Sequence, residues 1–219
     1  MSKVKRSYNQ YCGVAKALDV VGDRWTLLIV RDLLIGPKRF KDLLDCLPGI
    51  GTNLLSSRLK ELEQNGIIKK DILPPPAGSN VYILTERGKA LEDTLTSLVK
   101  WGITLLDSNS QEDFFNPTWL MYGMKVYFRP SEAEGVNETY EFRIDGTVFH
   151  VRIKNGVLDT AQGSATNPDL VIETDTNNLV TLMRMEKNLS ELVDSGDLKY
   201  EGDKNAFVRL VNICGPYQK

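Results

Sequence analysis

The sequence predicts an α+β protein that combines an N-terminal winged helix-turn-helix with a C-terminal antiparallel sheet covered by helices. Apolar residues recur at helical spacing through most of residues 10–65, which predicts several short helices in succession. Further along, Asp145-Gly146 and Asn155-Gly156 each separate two runs in which apolar and polar residues alternate. Such dipeptides are the strongest local signal of a β-hairpin, because both turn residues need a positive φ.

The two halves are separated by a polar segment without apolar periodicity, which predicts a linker at residues 107–117. A chain of 219 residues is long for one domain and suits two. We therefore expect the winged helix-turn-helix domain over residues 1–106 and a second domain over residues 118–219.

The elements of the first half follow from apolar spacing and from helix-ending residues. Helices are expected at 10–21, 24–35 and 38–46, and a fourth from Thr52 to about Asn65, where Gly66 ends it. Two strands at 67–73 and 80–84 form a ribbon with an exposed tip, and a long helix at 86–106 closes the domain. Its wide apolar stripe fits dimerisation, but also packing within the monomer or against the second domain.

The second half alternates with a period of two, as expected for a half-buried sheet. The sequence predicts strands at 124–129, 138–144, 147–154, 157–161 and 169–174, followed by helices at 177–187 and 189–195. One face of this sheet would be covered by helices.

The composition excludes several classes of protein. No apolar run is long enough for a membrane span, and the N-terminus lacks the apolar segment of a signal peptide, so we expect a cytoplasmic protein. Three cysteines are too few and too widely spaced for a zinc cluster, and the single His150 argues against a multi-His metal site and a Ser-His-Asp triad. We expect no enzyme activity, no catalytic residues and no cofactor.

The charge is distributed unevenly between the two halves. Residues 1–108 carry a net charge of +4 and residues 109–219 a net charge of −6. A basic first half suggests a polyanionic partner, although small domains often differ by a few charges.

The fourth helix places leucines on one side and polar residues on the other, as a helix in the DNA major groove requires. Cations at the start of the third helix and around the ribbon are positioned for phosphates, though each alone also fits a solvated surface. The candidate DNA contacts are Lys38, Arg39, Lys41, Thr52, Asn53, Ser56, Ser57, Arg58, Lys60, Lys69, Lys70 and Arg87.

Several motifs in order resemble the HxlR-type winged-helix regulators of bacteria. They are the stretch from Cys12 to Ile29 (CGVAKALDVVGDRWTLLI), Arg39-Phe40, Pro48-Gly49-Ile50, the stretch from Leu55 to Glu63 (LSSRLKELE), Gly66-Ile67-Ile68 and Tyr82-Ile83-Leu84-Thr85. The resemblance covers about residues 10–106. It implies a homodimer that binds double-stranded DNA with its fourth helix in the major groove.

The same resemblance implies a possible redox role for Cys12, because some regulators of this family sense oxidants or electrophiles through a cysteine at this position. Lys5, Arg6 and Lys16 would favour its thiolate, and Cys46 is a candidate partner. The family commonly has proline after this cysteine, whereas this chain has Gly13. The alternative is that both cysteines are small core residues in a reducing compartment.

The second half resembles the sterol carrier protein family, through Tyr140 to Ile153, Asn167 to Ile172 and Gly196 to Asp203. This resemblance implies an apolar tunnel for a lipid-like effector, although the same pattern also produces a solid core. The residues expected to line the tunnel are Phe142, Ile144, Phe149, Val151, Ile153, Leu158, Leu179, Leu182, Met183, Leu189 and Leu192.

Together these features predict a dimeric, sequence-specific DNA-binding transcriptional regulator whose second domain binds an apolar effector or extends the dimer. The alternative is a lipid or acyl-chain carrier whose helical half is a protein-interaction module. Salt dependence separates the two, because phosphate contacts make DNA affinity fall steeply with salt whereas lipid transfer is almost independent of salt.

Overall fold

The structure is a computed structural model that describes residues 7–74, 78–106 and 113–215. The chain divides into two compact units, Met1–Leu105 and Leu106–Lys219, and each is described by itself. None of the helices in the described residues is long and apolar enough to cross a membrane.

The N-terminal unit has the predicted order of helices, ribbon and closing helices. Its elements are α1 (Gly13–Val21), α2 (Thr26–Ile35), α3 (Phe40–Cys46), α4 (Thr52–Gln64), β1 (Ile68–Ile72), β2 (Asn80–Leu84), α5 (Glu86–Lys89) and α6 (Glu92–Gly102). The strands β1 and β2 are antiparallel, with Ile68 opposite Leu84 and Ile72 opposite Asn80. Residues 75–77 at the tip of this ribbon lie outside the described residues.

The single long helix predicted at 86–106 is instead broken into α5, α6 and a 3-10 turn over Ile103–Leu105. Gly88, within α5, makes a tight contact near the break, since a Cβ on it would lie 2.1 Å from the carbonyl oxygen of Ile67. The backbone N–H of Leu91 then donates to the Gly88 carbonyl oxygen at 3.1 Å, and α6 begins one residue later. The sequence shows the apolar stripe but not the contact of Gly88 with Ile67, just before β1.

The C-terminal unit is a sheet with helices, as predicted. Its elements are α7 (Trp119–Tyr127), β3 (Asn137–Ile144), β4 (Thr147–Lys154), β5 (Val157–Gln162), β6 (Leu170–Thr174), α8 (Thr176–Met183), α9 (Leu189–Asp194), β7 (Leu198–Gly202) and α10 (Lys204–Cys214). In the described residues the sheet has five strands in the order β5-β4-β3-β6-β7. All neighbours are antiparallel except β3 and β6, which are parallel.

Both hairpin turns are confirmed. Asp145 and Gly146 have φ values of 47° and 77°, and Asn155 and Gly156 have φ values of 50° and 76°. These positive values are the ones that a two-residue turn between twisted strands requires.

The strand predicted at 124–129 is wrong, because these residues fall largely in helix α7. Met124, Val126 and Phe128 alternate with polar or amphipathic neighbours, which imitates a strand over this short stretch. The helix buries Met121, Tyr122, Met124 and Val126, and the alternation is a fragment of this wider apolar face.

The described end of the predicted linker packs onto the C-terminal unit. The rings of Phe114 and Phe115 lie edge-on to Trp119, with centroids 5.6 Å and 5.9 Å away. The earlier part, residues 107–112, lies outside the described residues.

The apolar tunnel predicted in the C-terminal half is replaced by a packed core. Phe149, Val151 and Ile153 are completely buried, and the ring of Phe149 stacks on that of Phe142 at 4.9 Å. Ile144, Leu179 and Leu192 are also buried, Leu158, Leu182 and Leu189 are half-buried, and Met183 is exposed. The buried members of this set therefore pack between the sheet and the helices instead of lining open space.

Two openings in this unit do not suit a lipid, one because of its size and the other because of its lining. A cavity of about 40 Å³ lies beside Leu189, Val193 and Phe207, which is too small for an acyl chain. An open groove of about 550 Å³ lies at one end of the sheet. Its lining is mostly polar or charged and includes Arg143, Glu173, Asp197 and Lys199.

A packed core predicts a large cost for removing Phe149. We expect Phe149→Ala to lower the free energy of unfolding of this unit by about 3–5 kcal/mol, because the lost ring leaves a cavity. Hydrogen exchange of peptides from β3 and β4 measures this cost for the C-terminal unit alone. Val157→Ala, at a side chain that is 57% exposed, is the matched control and should change it by less than about 0.5 kcal/mol. A cost below about 1 kcal/mol for Phe149→Ala would indicate an open cavity instead.

Candidate nucleic-acid interface

Helix α4 owes its orientation to three leucines along one side. Leu55, Leu59 and Leu62 are at most 2% exposed, and their spacing of three to four residues keeps them on one face. After α4 the chain turns at Gly66, whose φ of +68° favours glycine, and the Ile67 N–H donates to the Leu62 carbonyl oxygen.

The opposite side of α4 carries an exposed row of polar side chains. Its members are Thr52, Asn53, Ser56, Ser57, Lys60 and Gln64. Leu54, which sequence analysis does not single out, is also exposed, because it lies off the buried leucine face. These residues offer hydroxyl, amide and ammonium groups together with one apolar side chain, and the Glu63 carboxylate of the same helix is exposed as well.

Arg58 differs from the other predicted contacts on α4, because it is half-buried and bonded to carboxylates. Its Nη1 lies 2.5 Å from the Asp23 carboxylate, in the turn between α1 and α2, and 2.5 Å from the Glu61 carboxylate. The sequence gives no signal for the Asp23 contact, since the two residues are 35 positions apart.

Lys38 is not the exposed cation that the sequence predicts, since the residue is only 4% exposed. Its backbone pairs with the ribbon: the Lys38 N–H donates to the Tyr82 carbonyl oxygen at 3.1 Å, and the Tyr82 N–H donates back at 2.8 Å. This pairing draws the residue inward, so the prediction that Lys38 clamps a phosphate is wrong for the chain as described.

The remaining cations are exposed. Arg39 precedes the first residue of α3, where its N–H donates to the Asp42 carboxylate at 2.8 Å, and Lys41 lies on the first turn. Lys69 and Lys70 lie on β1, and Arg87 lies on α5. Lys70 is 3.9 Å from Glu63, an exposed pair that water and salt weaken.

The three cysteines are free thiols in very different surroundings. Cys12 is exposed just before α1, and hydrogen bonds from the backbone N–H groups of Ala15 and Val14 lower its pKa. Burial raises the pKa of Cys46 to about 11 and that of Cys214 to about 12. The described residues contain no bond between Cys12 and Cys46, and the predicted redox role of Cys12 stays a prediction.

Two further predictions concern metal ligands and the single histidine. No cluster of three or more His, Cys, Asp or Glu side chains in the described ranges is arranged to hold a metal. His150 lies on the sheet with its Nδ1 2.9 Å from the Gly163 carbonyl oxygen.

A helix with one buried and one polar face, a preceding short helix and a two-stranded ribbon define a winged helix-turn-helix protein. The HxlR-like helix-turn-helix family model matches residues 20–110. The uncharacterized HTH-type transcriptional regulator YvaP of Bacillus subtilis is 41% identical over 92 residues, which are 42% of this chain and 85% of YvaP. This chain belongs to the HxlR-like helix-turn-helix family.

Two further comparisons concern the same half of the chain. The HTH-type transcriptional regulator YodB of Bacillus subtilis is 41% identical over 85 residues, which are 39% of this chain and 76% of YodB. The match to the solved structure of its reduced form covers 42% of this chain and 92% of that structure's chain, with a TM-score of 0.38 and 38% identity.

The C-terminal half matches a different family. The model of the alkyl sulfatase C-terminal domain matches residues 120–217, which include the stretches that resemble sterol carrier proteins. The solved sec-alkylsulfatase Pisa1 from Pseudomonas sp. is 16% identical, with a TM-score of 0.44 over 48% of this chain. The chain spans 17% of that enzyme.

The cysteine environments predict selective alkylation. Near neutral pH, iodoacetamide should modify Cys12 first, because exposure and a lowered pKa increase its reactive thiolate fraction. Cys46 and Cys214 should react at a comparable rate after unfolding, when burial no longer raises their pKa. Peptide mass spectrometry measures the order, with Cys12→Ser as the control. Equal rates in the folded protein would contradict the described burial.

Proposed function

We propose that this protein is a sequence-specific DNA-binding transcriptional regulator that acts as a homodimer. The observation that carries the proposal is the exposed polar row on α4, opposite the buried leucines, in a member of the HxlR-like family. A major groove admits one α-helix, and relatives such as YvaP and YodB are named as transcriptional regulators. The protein would then work in the cytoplasm, where the chromosome is, and without enzyme activity.

We assign different roles to the exposed residues of α4. Asn53, Ser56 and Ser57 supply the amide and hydroxyl groups that read base edges, and Leu54 supplies an apolar surface for a thymine methyl group. Thr52 begins α4, where free backbone N–H groups favour a phosphate.

The exposed cations around α4 would contact the backbone of the DNA. They are Arg39 and Lys41 beside α3, Lys60 on α4, Lys69 and Lys70 on β1, and Arg87 on α5. Phosphate contacts of this kind supply affinity and register but no sequence discrimination. The rival function, a lipid or acyl-chain carrier, loses its main support because the predicted tunnel residues pack together.

The first test separates the phosphate contact of Lys60 from the base contact of Asn53. Lys60→Ala should weaken binding to all duplexes and reduce the slope of log K against log salt by about 1. Asn53→Ala should leave the slope unchanged and cost about 1–3 kcal/mol on the preferred sequence alone. Fluorescence anisotropy with a duplex selected from a random library by the wild-type protein, and with a scrambled duplex, measures both.

Lys199→Ala, at an exposed lysine of the C-terminal unit, is the control and should change neither quantity. If the wild-type protein bound DNA with no dependence on salt, or selected no sequence, the proposed function would be wrong.

The dimer is supported by apolar side chains that the N-terminal unit leaves exposed. On α1, only Ala15 and Val21 are buried, while Val14 is 69% and Leu18 44% exposed. On α6, Leu98 and Trp101 are 43% and 62% exposed. Large apolar side chains left exposed on two helices are candidates for burial in a protein interface, and a twofold dimer would present two α4 helices to half-sites about 34 Å apart.

A charge in this surface should therefore separate the subunits. We expect Leu18→Glu and Leu98→Glu each to shift the protein to a monomer at micromolar concentration, because a buried unpaired carboxylate is costly. Sedimentation velocity measures the state, and Val157→Glu, at an exposed valine of β5, is the control. Dimers that persist in both variants would place the interface elsewhere.

A further inference from the structure

We infer that Arg58 is a positioning residue, which holds α4 to the turn between α1 and α2 through Asp23 instead of contacting DNA itself. This inference rests on the proposed DNA-binding function. It deepens that function by naming a residue that orients the DNA-reading surface from outside it.

The guanidinium group of Arg58 is bonded to protein carboxylates. Its side chain is 21% exposed, and its Nη1 is bonded to Asp23 on one side and Glu61 on the other. Its Nε is buried and has no hydrogen-bond partner among the described residues. The base of the guanidinium group is thus packed, and its outer end is held by two carboxylates.

Asp23 is a suitable anchor because the backbone on both sides of it is fixed. The Asp23 carbonyl oxygen accepts the Thr26 N–H at 3.0 Å where α2 begins, and the Gly22 N–H donates to the Leu18 carbonyl oxygen where α1 ends. A Cβ on Gly22 would lie 2.5 Å from that oxygen, so the turn is close-packed. A carboxylate on such a turn has a defined place relative to both helices.

The charges of the cluster argue against a phosphate contact by Arg58. One guanidinium between two carboxylates leaves a net negative cluster, which repels a phosphate. To bind a phosphate, Arg58 would have to give up charge-assisted hydrogen bonds that it already makes. Because both carboxylates are well exposed, the pair adds little to overall stability, and its effect is on the orientation of α4.

A positioning role for Asp23 and an ordinary surface location predict opposite changes in DNA affinity when its charge is removed. If Asp23 were an ordinary surface carboxylate near DNA, Asp23→Asn would tighten binding, since it removes a charge that repels phosphates. If Asp23 positions α4 through Arg58, Asp23→Asn weakens binding to the preferred sequence.

The test uses the full chain, the duplex that the wild-type protein selects from a random library, and a scrambled duplex of equal length. We expect Asp23→Asn and Arg58→Gln each to weaken binding to the selected duplex about tenfold, with a smaller change on the scrambled one. The double variant should be no weaker than the weaker single variant, because both remove the same contact. The salt slope should remain that of the wild type. Asp45→Asn, at an exposed carboxylate of α3, is the matched control.

A second measurement needs no DNA. Hydrogen exchange of α4 amides should accelerate in Asp23→Asn and Arg58→Gln but not in Asp45→Asn. Tighter DNA binding by Asp23→Asn, or a salt slope reduced by about 1 in Arg58→Gln, would overturn the positioning role in favour of a phosphate contact. Unchanged exchange in both variants would overturn it as well. A wild-type protein that selects no duplex would refute the proposed function, and the exchange data would still decide the role of Arg58.

Discussion

The burial of one leucine row on α4 is the constraint on which the N-terminal unit depends. Leu55, Leu59 and Leu62 cannot leave the core without exposing apolar surface, so the polar side of the helix has to face outward. The backbone pairing of Lys38 with Tyr82 ties the ribbon to the segment before α3, and Arg58 ties α4 to the turn before α2. Local periodicity thus decides which face is presented, and contacts distant in sequence decide where it is held.

The sequence allows prediction of those features whose cause is local. The leucine spacing of α4 and the two hairpin turns depend on neighbouring residues, and the structure confirms them. The burial of Lys38 and the bonding of Arg58 depend on partners far along the chain, which no local pattern reveals. The prediction of a strand at 124–129 fails for a third reason: a short alternation of apolar residues fits a strand and one edge of a helix, here α7, equally well.

The C-terminal unit shows why an alternating pattern does not distinguish a tunnel from a core. A tunnel and a core would both place Phe142, Phe149 and Val151 on the inner face of the sheet. In the structure the rings of Phe142 and Phe149 stack on each other and fill part of that face. On the opposite face Glu141 is also buried, held by the Arg143 guanidinium and by the Ala165 N–H at 2.7 Å. The inner face is thus filled by aromatic and aliphatic side chains, and the outer face buries one carboxylate next to the exposed Arg143.

The strand order of the C-terminal sheet has a consequence for how the chain folds as it is made. Strand β3 pairs on one side with β4, which follows after a two-residue turn, and on the other with β6. Just before β6, the Asp169 carboxylate accepts the N–H of Thr139, which lies 30 positions earlier in the chain. Local hairpins form quickly, whereas a distant parallel partner has to close a long loop first. During synthesis, β3, β4 and β5 therefore emerge with one edge of β3 unpaired until β6 leaves the ribosome. This interval is when the nascent chain is most exposed to pairing with the wrong strand.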